Sequence, residues 1–148
     1  MKIIAQNKKA FFDYEVLDHV EAGIVLTGDE VKSIRAGHVN LTGAFAVIHG
    51  GQLTLINMHV TPYSHAYEKK ENTDRTRVLL IHKRELNRLV GDIARKGVTL
   101  VPLKLYFNER GLIKVDLGVC KHKKAHERKE DIKERDIARQ TRRELKGL

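Results

Sequence analysis

Near the start of the chain Phe12, Tyr14 and Val16 alternate with Asp13 and Glu15, the period-two pattern of a half-buried strand. A second apolar run, enclosed between Gly23 and Gly28, predicts another strand. Residues 39–49 and 52–59 are rich in β-formers and flank Gly50-Gly51, a pair that tolerates the positive φ angles of a tight turn. They predict a β-hairpin. Residues 98–107 and 112–119 flank Asn108-Glu109-Arg110-Gly111, and in the second arm Ile113, Val115, Leu117 and Val119 face away from Lys114 and Asp116. They predict a second hairpin.

Helical periodicity interrupts these strands. Leu86, Leu89, Val90, Ile93 and Ala94 recur at i, i+3, i+4, i+7 and i+8, with Gly97 where a left-handed terminator belongs. In residues 29–36, Val31 and Ile34 stand three apart before Gly37, which fits a brief helix or a strand continuing from Leu26. Residues 62–77 are polar and read as a long loop. There is no internal repeat. Short antiparallel strands with one strong helix and one or two short ones predict a mainly β fold with α, a small antiparallel β-barrel, because closure removes exposed strand edges.

Charge changes the picture at the C-terminus. Residues 121–148 hold 11 Lys and Arg against 6 Asp and Glu and few apolar positions, so the domain is expected to span 1–120 and a basic tail 121–148. Ile132 and Ile137 lie five apart, about 140° on a helical wheel, and form no apolar stripe. Residues 123–146 contain neither Gly nor Pro. The tail is therefore expected to be disordered when free and helical against RNA. Across all 148 residues, 28 Lys and Arg face 19 Asp and Glu, a formal charge of +9 that points to a polyanionic partner.

The single cysteine, Cys120, excludes an internal disulfide framework and a multi-cysteine zinc site. It suits a reducing, cytoplasmic setting. Residues 1–10 lack the apolar core of a signal peptide and no apolar run nears the ~20 residues of a membrane span, so no membrane partner is expected. Asp18, His19 and Glu21 cluster, as do Asp29 and Glu30, but a chain this charged clusters carboxylates by chance. Phosphate-binding glycine loops, nucleophile elbows and HExxH are missing, so neither catalysis nor a metal or cofactor is expected. Basic groups speak more clearly: Asn7-Lys8-Lys9, Lys32 with Arg35, Arg75 with Arg77, and Lys83-Arg84 can each meet phosphates, and Tyr63, His65 and Tyr67 can stack on bases.

Several motifs occur together in order: Asn7-Lys8-Lys9-Ala10, Glu21-Ala22-Gly23-Ile24, Gly28-Asp29-Glu30-Val31-Lys32-Ser33-Ile34-Arg35-Ala36-Gly37, Asn40-Leu41, Arg75-Thr76-Arg77 with Leu79-Leu80, and His82-Lys83-Arg84-Glu85-Leu86. Val101-Pro102-Leu103 to Tyr106, Lys114-Val115, Lys121-His122-Lys123-Lys124 and Asp131-Ile132-Lys133-Glu134-Arg135 continue the series. Over nearly its whole length the chain thus resembles the small protein B family, the transfer-messenger-RNA-binding proteins of bacteria. The resemblance implies an oligonucleotide-binding-like barrel that holds the tRNA-like part of transfer-messenger RNA and delivers it, as one monomer on one RNA, to stalled ribosomes. A structural ribosomal protein, or an RNA-modifying enzyme using His19 and Glu21, is the alternative.

By the same resemblance, Asn7, Lys8, Glu21, Lys32, Arg35, Asn40, Leu80 and Lys114 would face the RNA. Lys121, Lys123, Lys124, His126, Arg128 and Lys129 would contact the decoding centre and messenger channel of the small subunit. Leu80 also reads as a core residue and Glu21 as an ion-pair partner. The chain departs from the family pattern at His122, in a glycine's place, and at Glu127-Arg128-Lys129. The usual Pro before Arg-x-Arg is missing near Asn72-Thr73-Asp74, which suggests a different loop shape.

Overall fold

The computed structural model describes residues 2–62 and 74–124. Strand β1 (Lys2–Gln6) ends at Asn7, whose side-chain Oδ1 accepts from the Ala10 N–H at 3.2 Å and starts the short helix α1 (Lys8–Asp13). Phe12 therefore lies on a helix, and the strand that the alternation predicts begins only at Tyr14. That strand, β2 (Tyr14–Ile24), runs for 11 residues and absorbs the start of the second apolar run. After it, Thr27 caps helix α2 (Gly28–Arg35): its hydroxyl accepts from the Glu30 N–H at 3.2 Å, and the Glu30 carboxylate accepts from the Thr27 N–H at 2.9 Å. This reciprocal capping box satisfies two otherwise orphaned donors, so helix wins over strand here.

The first predicted hairpin forms and is shorter than its pattern. Strands β4 (Phe45–His49) and β5 (Gln52–Ile56) meet at Gly50 and Gly51, with φ of 59° and 76°. Each outer arm is cut off by a turn. Asn40 Oδ1 accepts from the Thr42 N–H at 2.9 Å on one side, and Asn57 adopts φ 65° on the other. The severed ends pair separately as β3 (Val39–Asn40) and β6 (His59–Val60).

Strand β7 (Arg77–Leu80) follows, taking Arg77 out of the predicted loop. Helix α3 (Lys83–Lys96) ends at Gly97, φ 63°, whose N–H reaches the Ile93 carbonyl at 3.1 Å. Its apolar stripe is narrower than its periodicity: Leu89 is buried with Leu86 and Ile93 beside it, while Val90 and Ala94 face outward. Strands β8 (Thr99–Phe107) and β9 (Ile113–His122) form the second hairpin, and β9 runs two residues past Cys120.

All pairings are antiparallel, in the order β1-β8-β4-β5-β7-β2-β9, and β9 returns to β8, which closes the sheet into a barrel. The fold class read from the sequence therefore holds. Leu55, Leu105, Val115 and Leu117 fill the barrel interior. A second, smaller core of Ala10, Val101, Leu103 and Cys120 lies under α1, so this part of the β8–β9 hairpin is buried on both faces. Burial pushes the Cys120 thiol up to about 11, which leaves it an inert packing group.

Gly118 belongs to that packing. A Cβ there would lie 2.7 Å from Leu103 Cδ1 and 2.9 Å from Leu103 Cγ, and Leu103 is fully buried and cannot swing away. Gly118→Ala is expected to destabilise the domain by about 1–3 kcal/mol, read as a lower urea midpoint with an unchanged slope.

Candidate nucleic-acid interface

Strands β2 and β7 share only two register pairs, Gly23↔Leu80 and Ile24↔Leu79. A surface groove of about 350 Å³ lies at this seam and brings Arg35, Leu80 and Lys114 together with Leu26 and Leu112. Leu80 does not join the core: it is 58% exposed, the highest value among the large exposed apolar side chains of the described residues. Gly23 lies beneath it, its Cβ position 3.4 Å from Leu80 Cβ and 3.7 Å from Lys114 Nζ. Arg35 from α2 and Lys114 from β9 supply cations at the rim, and exposed Lys32 precedes Arg35 by one turn. An apolar floor between two cations suits a nucleotide, whose base or sugar presses on the floor while its phosphates meet the rim. Leu112, 53% exposed after the turn glycine, is the lining residue that no sequence signal singled out.

Glu21 stands on β2 opposite Asp116, two register steps from Gly23↔Lys114. The Tyr106 hydroxyl donates to its carboxylate, and burial together with that carboxylate pushes the phenol up. Glu21 is thereby held in one orientation beside an adjoining cavity with Asn108 and Arg110. Its sequence neighbours go elsewhere: Asp18 pairs with Arg88 at 3.0 Å, and His19 Nδ1 meets Asp116 at 3.0 Å. The three groups thus serve three separate partners, not one reacting point. Among the described residues no group of three or more His, Cys, Asp or Glu side chains is placed to hold a metal ion.

The other candidates spread over a different part of the surface. Asn7 is only 2% exposed and its side chain is consumed by the fold, with Nδ2 donating to the carbonyls of Leu41 at 3.2 Å and Pro102 at 3.0 Å. It cannot offer a donor to RNA without breaking the barrel, and what it does is set α1 so that Lys8 and Lys9 are exposed. Asn40 is exposed, with its carbonyl oxygen occupied by Thr42. Lys121 and Lys124 are exposed, and Lys123 is half-buried against α1. His126, Arg128, Lys129, Tyr63, His65 and Tyr67 lie outside the described residues, as does the tail from 125 onward.

A model of the family described as SmpB protein matches residues 4–147. This chain belongs to the SmpB family. It is 49% identical over 147 residues to an SsrA-binding protein of Coprothermobacter proteolyticus, covering 99% of this chain and 98% of that one. An SsrA-binding protein of Thermosipho melanesiensis is 46% identical over 147 residues, with 99% and 100% covered. A solved chain described under "tmRNA-SmpB: a journey to the center of the bacterial ribosome" superposes with a TM-score of 0.67 at 51% identity, covering 82% of this chain and 85% of the other.

Two of the basic residues by which this chain resembles other SmpB proteins are not placed to meet phosphate. Arg77 is fully buried, donating to the Met58 carbonyl at 2.7 Å and to Glu30, while Arg75 donates to Glu30 and to the Val25 carbonyl at 3.3 Å. The Arg75-Arg77 pair is therefore a structural lock, a correction of the phosphate-binding reading. The Thr27-x-x-Glu30 spacing signals only that Glu30 caps the first turn of α2, and its pairing with Arg75 and Arg77 comes from the tertiary fold. Burial pushes the Glu30 carboxyl up, but the Arg75 hydrogen bond, the Thr27 N–H and Arg77 outweigh it and hold the group below its usual range. Burial likewise pulls the Arg77 guanidinium down, and Glu30 pulls it back.

A lowered Glu30 value gives stability that is present above the unfolded carboxyl value of about 4.3 and is lost as pH falls through the folded one. Glu30→Gln preserves the cap and removes the charge, leaving Arg77 buried without a counterion. It is expected to cost about 3–5 kcal/mol at neutral pH and to flatten the acid limb of the stability curve, while Glu30→Gln combined with Arg77→Met recovers much of the loss.

Proposed function

We propose that this SmpB-family chain is a non-enzymatic adaptor that binds the tRNA-like domain of transfer-messenger RNA and delivers it to stalled ribosomes for trans-translation. The observation that carries this is the groove: a solvent-facing leucine held between Arg35 and Lys114 in a chain whose relatives are SsrA-binding proteins. An exposed apolar side chain in such a place gains by losing water to a partner, and the cations supply the attraction that brings a polyanion there. Lys8, Lys32 and Asn40 extend the contact, and Glu21, steadied by Tyr106, accepts from a base amine or orients a neighbouring lysine.

The second half of the function belongs to the basic tail. In this reading Lys121, Lys123, Lys124, His126, Arg128 and Lys129 contact the decoding centre and messenger channel, so that an empty channel is sensed by a segment separate from the RNA grip. The protein acts in the cytoplasm as one copy per RNA. No helix among the described residues is long and apolar enough to cross a membrane.

Binding to the tRNA-like RNA is expected to weaken with salt at a log-log slope of about −3 to −5 for four to six phosphates. Lys114→Ala is expected to reduce that slope by about 1. Leu80→Ser, which removes apolar contact and no charge, is expected to weaken binding about tenfold with the slope unchanged. Filter binding over a salt series separates these. A flat salt response, or an equal association with translating and stalled ribosomes, would overturn the proposal.

A further inference from the structure

The end of β9 is fastened to the barrel more firmly than a tail root needs to be. Lys121 and His122 stay in register with Glu15 and Tyr14, and the next N–H, of Lys123, donates to the Asp13 carbonyl at 2.9 Å. Two side-chain contacts add to this ladder. The rings of His122 and Tyr14 lie 4.4 Å apart between centroids at a tilt of 39°, at the close edge of the roughly 4.5–7 Å spacing of attracting aromatic rings. The Lys123 ammonium donates to the Phe11 carbonyl at 3.1 Å, near the C-terminal end of α1, where helix carbonyls run out of intrahelical partners and favour a cation.

These contacts place the root of the tail in a definite position. Helix α1 has six residues and is about 9 Å long. Its exposed Lys8 and Lys9 therefore lie along the same edge as the β9 terminus that is bound to its other end. Asp13 and Glu15 are the acidic groups of this edge, and Lys8, Lys9, Lys121, Lys123 and Lys124 outnumber them. The edge is a basic rim on which an RNA backbone can lie, and its shape depends on the β9 terminus staying docked.

We infer that His122 is a positioning residue: packed on Tyr14, it latches the root of the tail to α1, so that the tail-root lysines join Lys8 and Lys9 in one rim. This rests on the functional reading above, in which the tail serves the ribosome. His122 itself touches no RNA in this account. It acts through Lys121, Lys123 and Lys124, whose positions it sets.

The test uses the full chain in three variants. His122→Ala removes the ring and keeps the strand, His122→Phe keeps a ring, and Tyr14→Leu removes the opposite ring. Amide exchange at Lys123 is expected to quicken about fivefold, the worth of one aromatic contact, in His122→Ala and Tyr14→Leu, and to stay at the parent rate in His122→Phe. The Tyr14→Leu, His122→Ala pair combined is expected to add nothing beyond either alone. Peptide tagging on stalled ribosomes is expected to fall in the two ring-deleted variants and recover in His122→Phe, with affinity for the tRNA-like RNA, held mainly at the Arg35–Leu80–Lys114 groove, falling less than tagging in His122→Ala. Unchanged Lys123 exchange in His122→Ala would overturn the latch, and a loosened root with full tagging would overturn its positioning role. A parent protein that fails to bind the RNA would overturn the functional reading alone, since the exchange measurement decides the latch without RNA.

Discussion

The buried charge of Arg77 is the constraint around which the rest of the molecule is arranged. A guanidinium with no access to water must be met by a carboxylate and by carbonyl oxygens, and Glu30 and Met58 meet it from α2 and from the segment before β6. Three separate parts of the chain are thereby tied at the seam where β2 and β7 share only two register pairs. A sheet with so little pairing at that point would otherwise be free to open. The same tie relates the two sides of the groove, because Arg35 sits at the end of the helix that Glu30 anchors and Leu80 on the strand that Arg77 begins. Interior electrostatics thus set the spacing of a surface site to which neither Glu30 nor Arg77 contributes an atom.

Packing under α1 works differently and reaches the opposite edge of the barrel. There the determining residue is Asn7, a polar side chain whose amide and carbonyl are both engaged by backbone. It ends a strand, begins a helix and joins that helix to β8 and to the turn after β3, which explains why a short helix with little propensity of its own persists. Once α1 is placed, Ala10 covers Cys120 and Leu103, and Gly118 must stay small.

Much of this was legible in the chain because its periodicities are local. The β8–β9 alternation, Gly97 as a left-handed terminator and Gly50-Gly51 as a turn are each decided by a few neighbouring residues, and each appears in the structure. What was not legible depends on distant partners. Phe12 looked like part of a strand because the helix that holds it is specified by Leu41 and Pro102, far away in sequence. Arg75 and Arg77 looked like phosphate ligands because a pair of arginines carries no local sign of burial; Glu30, 45 residues or more away, decides it. Leu80 was open between core and surface for the same reason, since one apolar residue at a strand end fits both until its neighbours are known. Arg35, Leu80 and Lys114 come from three elements, and only the closed sheet puts them side by side.

Closure also fixes when this protein can become itself during synthesis. Strand β2 has one long ladder, with β9, and β1 has its ladder with β8, so the first two strands to emerge wait for the last two. Tyr14 and His122 meet only after a loop of about 100 residues has closed, a slow and entropically costly step compared with zipping a hairpin. Until then a nascent chain carries unpaired strand edges, the feature most prone to non-native association. A copy cut short upstream of β9 would keep those edges, because the partners of β1 and β2 lie in the last two strands.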